Sequence, residues 1–129
     1  MCTLSKIAFF AARRGQEDLL GTYLLSLVPP SRAEAGNLRY EIFQDASDNG
    51  LWIAVEDWRS EADFNIHMAT SYVQAFLNQV PGLCDGDPDI RSYYKRSPAD
   101  HRAHCAETSQ ADLKRGTRSA PTTKGLPAP

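Results

Sequence analysis

Two alternating runs joined by a turn dipeptide constrain this chain more than anything else in it. "NLRYEIFQD" (residues 37–45) and "LWIAVEDW" (residues 51–58) flank "ASDNG", whose Asn49-Gly50 pair is a turn signal. Residues 38–58 are therefore expected to form an antiparallel hairpin. In its second strand Leu51, Ile53 and Val55 face one way, and Trp52, Ala54, Glu56 and Trp58 face the other. Both faces carry apolar bulk, so both need cover. Helices of the same chain can supply one layer, while the other calls for a partner, the first indication of a homodimer.

The remaining elements fit around that hairpin. "LSKIAFFAAR" (residues 4–13) is short, partly alternating and ends before Gly15, which reads as a strand. Gln16, Glu17 and Asp18 suit the positive end of a helix dipole, and Leu19, Leu20, Tyr23, Leu24, Leu27 and Val28 follow as one apolar stripe. Pro29 and Pro30 are expected to kink or end that helix, "SRAEAG" to add a turn, and Gly36 to supply a left-handed exit. Ser60 with Asp63 makes a capping start for "EADFNIH", which closes on His67. Thr70 or Ser71 caps "YVQAFLNQV", which Pro81-Gly82 is expected to terminate. After "DGDPD", the segment "IRSYYK" reads as a last strand. This order predicts an α+β, ferredoxin-like sandwich with a four-stranded antiparallel sheet.

At 129 residues the chain has room for one domain, taken as 1–94, and a tail, 95–129. The tail is rich in Pro, Ser, Thr, Gly and Ala and too poor in large apolar residues to bury a core. Residues 1–94 hold 7 Lys+Arg against 13 Asp+Glu, a charge of -6, and residues 95–129 hold 7 against 3, or +4. An acidic domain argues against nucleic-acid binding. No apolar run is long enough for a membrane helix, and no small-residue cleavage site follows the N-terminal strand, so a cytoplasmic protein is expected. The odd set Cys2, Cys84 and Cys105 fits free thiols better than a disulfide framework. "HRAHC" holds His101, His104 and Cys105, but three ligands at this spacing match no common structural zinc pattern, and no metal is expected.

Glu34, Gly36 and Tyr40 in "EAGNLRYEIFQ", Glu56 and Trp58 in "EDW", and His67 in "SEADFNIHMATSYVQAF" stand in an order and spacing that resemble the antibiotic biosynthesis monooxygenase family. The likeness covers roughly residues 4 to 94. It implies a ferredoxin-like protomer that pairs sheet to sheet into a dimeric α+β barrel, with a pocket between sheet and helices. It also implies oxygenation of electron-rich aromatics, quinols or anthrones, by O2 without metal or flavin. Haem-degrading proteins of similar shape use an asparagine on the first strand and a histidine on the later helix. Here "IAFFAA" has no asparagine and "SYVQAFLNQV" no histidine, which departs from the haem-binding pattern.

Such oxygenation asks the protein for a dry, flat pocket and a base. His67 is the candidate base, because imidazole, with an ordinary pKa of about 6.5, takes a proton close to neutral pH. Its competing reading is a cap on the short helix. Glu56 is the candidate orienter of His67, or alternatively the partner of Arg39 across the hairpin. Trp58, Tyr40, Tyr72 and Phe10 are the candidate substrate-binding side chains, each with a plain core reading beside it. Two other functions compete with the oxygenase: a non-catalytic dimeric small-ligand or stress-response module, and, more weakly, a haem-binding protein.

Overall fold

The computed structural model describes residues 3–98; the rest of the tail, with the "HRAHC" stretch, lies outside the described residues. The elements follow as β1 (Leu4–Ala11), α1 (Glu17–Ser26), α2 (Val28–Arg32), β2 (Asn37–Gln44), β3 (Leu51–Trp58), α3 (Glu61–Met68), α4 (Ser71–Leu83) and β4 (Asp89–Tyr94). The four strands form one sheet in the order β2-β3-β1-β4, every neighbour antiparallel. This is the ferredoxin-like arrangement that the element order predicts. No helix among the described residues is long and apolar enough to cross a membrane.

Register assigns the two faces. Phe10, Ala8, Lys6 and Leu4 of β1 lie opposite Trp52, Ala54, Glu56 and Trp58 of β3, and Tyr40 of β2 lies opposite Glu56. These side chains point to the helices. The core closes over them with Leu20 and Leu24 of α1, Phe64 of α3, and Phe76 and Val80 of α4. The irregular pairing between Asn37 and Arg39 makes Leu38 an extra residue in β2, left exposed as bulge residues commonly are.

Among the described residues, no helix packs on the opposite face. Phe9, Phe43, Leu51 and Tyr93 are 38 to 46% exposed there, with Ile7, Ile53 and Val55 half-buried between them. Antiparallel sheets usually turn polar groups to water on an uncovered side; Arg39, Glu41 and Arg91 do so here, but the apolar group lies beside them without cover among the described residues.

As expected, the helix breaks at Pro29-Pro30: α1 ends at Ser26 and α2 restarts at Val28 with both prolines in its first turn, where the amides have no partner in the helix to lose. Two local expectations are corrected. Leu19 leaves the predicted stripe and is exposed, since α1 turns Leu20 and Leu24 inward. Pro81 lies inside α4, which runs on to Leu83.

Gly36 is not a left-handed exit either; positive φ among the described residues occurs at Gly15 and Gly86. What Gly36 meets is crowding: a Cβ there collides with the Asp63 side chain. That side chain is fixed by Arg59 Nε (2.9 Å) and Ser60 Oγ (2.9 Å), while the Asp63 amide bonds to the Ser60 cap. Gly36→Ala is expected to lower stability by about 1–3 kcal/mol, read from the urea midpoint. An unchanged midpoint would mean that Asp63 moves aside freely.

Candidate active site

Capping sets the position of His67. Ser60 accepts from the Asp63 amide and starts α3 so that Phe64 and His67, three residues apart, both turn onto the sheet. His67 is only 2% exposed. Its ring lies 4.7 Å from Trp58, 5.5 Å from Tyr40 and 6.1 Å from Phe64, centroid to centroid.

The carboxylate that holds this ring is Glu34, in the turn between α2 and β2. Nδ1 of His67 donates to Glu34 Oε2 at 2.7 Å. The Tyr72 hydroxyl, at the first turn of α4, donates to the same oxygen. A carboxylate only accepts, so the hydrogen of a neutral imidazole sits on Nδ1 and leaves Nε2 with a free lone pair. Nε2 stands 3.9 Å from Glu56 Oε1, and His67 and Glu56 line the same internal cavity. Glu34 Oε1 is buried without a hydrogen-bond partner among the described residues.

Burial pushes the Glu56 carboxyl up to about 7, with the Trp58 hydrogen bond pulling the other way and the Glu34 charge adding to the rise. Trp58 Nε1 donates to Glu56 Oε1 at 2.9 Å. Tyr40 is raised well above the usual phenol range by burial and then by the nearby Glu56 charge. Tyr72 is pushed up to about 12, by burial and by its bond to Glu34. A buried Lys6, in register with Glu56, bonds to Ser92 Oγ at 2.6 Å and Glu61 Oε1 at 3.2 Å, with its ammonium 4.4 Å from the Phe64 ring centre.

The cavity is about 30 Å³, and Phe10, Tyr40, Glu56, His67, Phe76 and Ile90 are among its walls. That is about the share of one water molecule in the liquid. A larger hollow of about 550 Å³ opens on the uncovered sheet face beside Phe9, Phe43 and Leu51, but neither His67 nor Glu56 lines it. Among the described residues no cluster of three or more His, Cys, Asp or Glu side chains is placed to hold a metal ion.

Of the predicted site residues, the structure brings His67, Glu56, Tyr40 and Phe10 to one cavity. The other placements are corrections. Trp58 is fully buried and stacks behind His67, so it offers no face to a substrate. Tyr72 reaches the site only through Glu34 and otherwise lines a separate surface hollow. The nearer carboxylate on His67 is Glu34, not Glu56. Arg39 lies on the other face of the sheet and bonds to Glu41 at 2.8 Å, so it does not pair with Glu56. Glu34 belongs to the motif residues, yet nothing in the sequence separates a buried glutamate from an exposed one in a turn.

The family described as antibiotic biosynthesis monooxygenase matches residues 3–79 of this chain. The chain belongs to the antibiotic biosynthesis monooxygenase family. It is 32% identical over 65 residues to the Bacillus subtilis protein named "Putative monooxygenase YcnE", covering 50% of this chain and 68% of that one. The crystal structure of PA3566 from Pseudomonas aeruginosa superposes with a TM-score of 0.72 at 33% identity, over 75% of this chain and 97% of that one. Protein SO0527 from Shewanella oneidensis gives 0.69 at 27% identity, over 73% and 91%. Family membership makes a monooxygenase the general functional class, and Phe10, Glu34, Tyr40, Glu56, Trp58, His67 and Tyr72 lie inside the matched span.

Proposed function

We propose that this member of the antibiotic biosynthesis monooxygenase family oxidises a quinol, an anthrone or a similar hydroxylated aromatic with O2, without metal or flavin, in the cytoplasm. The observation that carries the reading is the His67 to Glu34 hydrogen bond, which leaves Nε2 of a buried imidazole on an apolar cavity. Nε2 takes a proton from the substrate. The resulting anion is the reductant: it passes an electron to O2, and the two radicals join in a new C–O bond. For an anthrone the balance is CH2 + O2 → C=O + H2O, one oxygen atom entering the product and the other leaving as water. The protein contributes position, a base and exclusion of bulk water.

Phe10, Tyr40 and Phe76 are the walls suited to a flat ring. A pocket of about 30 Å³ is smaller than an aromatic ring, so in this proposal its walls, Met68, Leu77 and Ile90 among them, move to admit one. The test is O2 uptake by metal-stripped protein against hydroquinones, naphthoquinols and anthrones, with and without a chelator. Protein-dependent uptake that a chelator leaves unchanged supports the reading. Ligand binding without uptake across the panel would favour a non-catalytic binding module.

The working form in this proposal is a homodimer closed through the uncovered sheet face. Phe9, Phe43, Leu51 and Tyr93 form an exposed apolar patch of the kind that partners cover. Sedimentation should give the mass of two chains, and Phe43→Asp should shift it toward one; a monomeric parent protein would remove this part of the proposal.

A further inference from the structure

His67 accounts for removing a proton, but the reaction also has to deliver one, because the second oxygen atom leaves as water. Among the described residues, Glu56 is the one carboxyl on the cavity wall. Its Oε1 is taken by the Trp58 indole N–H at 2.9 Å, and its Oε1 stands 3.9 Å from His67 Nε2. With Oε1 accepting from Trp58, the acid proton belongs on Oε2 of the same carboxyl, and a carboxyl and an imidazole that line one pocket are the arrangement expected of an acid and a base that share a substrate.

We infer that Glu56 is the general acid of this reaction, donating its proton to the leaving oxygen when the O–O bond of a substrate hydroperoxide breaks. The inference rests on the oxygenase reading above. In sequence, His67 takes the first C–H proton, the carbanion and O2 form the peroxide anion, and imidazolium returns the proton to its terminal oxygen. His67 then takes the second C–H proton, the C=O bond forms and the O–O bond breaks. The departing hydroxide takes the Glu56 proton and leaves as water. His67 Nε2 and Glu56 Oε1 stand 3.9 Å apart, so the proton now on His67 returns to the Glu56 carboxylate through the water just formed, and both groups are restored.

The surroundings keep Glu56 supplied with a proton near neutral pH. Buried among aromatic side chains, it is pushed up to about 7. The charged and titratable groups facing it are Lys6 from β1, Tyr40 from β2, His67 from α3 and Glu34 from the turn before β2. Glu34 opposes its ionisation and Lys6 favours it, but Lys6 is also engaged by Glu61.

Glu56→Gln removes the proton while keeping an oxygen for the Trp58 N–H. With an anthrone as substrate, the variant is expected to go on consuming O2 while carbonyl product falls about 10²- to 10⁴-fold and organic hydroperoxide accumulates, read by chromatography and a peroxide assay. Carbonyl product at the parent rate with no hydroperoxide would overturn the assignment. The unmodified protein gives a second measurement that needs no variant: its ratio of hydroperoxide to carbonyl product should rise as pH increases through 7, and a flat ratio counts against Glu56. If the unmodified protein consumes no O2 with any substrate, the oxygenase reading itself fails, and this role fails with it.

Discussion

His67→Ala lowers O2-dependent turnover by about 10²- to 10⁴-fold, the range expected when a positioned general base is lost. Two companion variants separate chemistry from structure. Glu34→Gln keeps an acceptor for Nδ1 but removes the charge that stabilises the imidazolium formed in the reaction, so turnover is expected to fall. Tyr72→Phe removes only one of the two donors on Glu34 Oε2 and should cost less than either. Single-turnover rates at fixed pH, with circular dichroism to verify folding, give the ranking. His67→Ala working at the parent rate would take His67 out of the mechanism. Equal losses in all three would point to a structural unit rather than a base with its orienter.

Unfolding free energy, measured by urea at pH 5, 6, 7 and 8, should fall in the parent protein relative to Glu56→Gln as pH rises. Folding raises the Glu56 pKa from 4.5 to about 7, so the native state binds more protons than the unfolded chain across that window. The stabilising effect of the protonated form is fully present below about 4.5 and is lost as pH climbs through about 7. The shift corresponds to about 3 kcal/mol between the two ends of the window. Gln imitates the protonated acid and does not titrate, and comparing the two proteins cancels the other carboxylates. A pH-independent difference would mean that Glu56 ionises in the folded protein as an exposed carboxylate does.

Much of the fold was legible because local signals and tertiary packing agree. The Asn49-Gly50 turn lies between β2 and β3, Ser60 and Thr70 cap α3 and α4, and the alternation in β3 assigns its two faces correctly. Legibility failed at Pro81 and at Gly36. A Pro-Gly pair reads as a helix stop, yet α4 holds Pro81 inside it and runs on to Leu83. Gly36 is required by the space that Asp63 occupies 27 positions later, which no local pattern encodes.

The same division runs through the site. Strand periodicity alone puts Glu56 and Trp58 on the inner face, and a capped helix alone turns His67 toward the sheet, because both depend on repeats of two and of three to four residues. Which carboxylate meets the imidazole depended on the tertiary structure. Glu34 is 33 residues from His67 and Tyr72 a further 5, and the three meet only when the turn after α2, the end of α3 and the start of α4 converge. Distance along the chain favoured Glu56 as the orienter. Packing put Glu34 against Nδ1, left Glu56 near Nε2 inside the cavity, and enclosed Trp58 behind the ring, since hydrogen bonding and desolvation act through space.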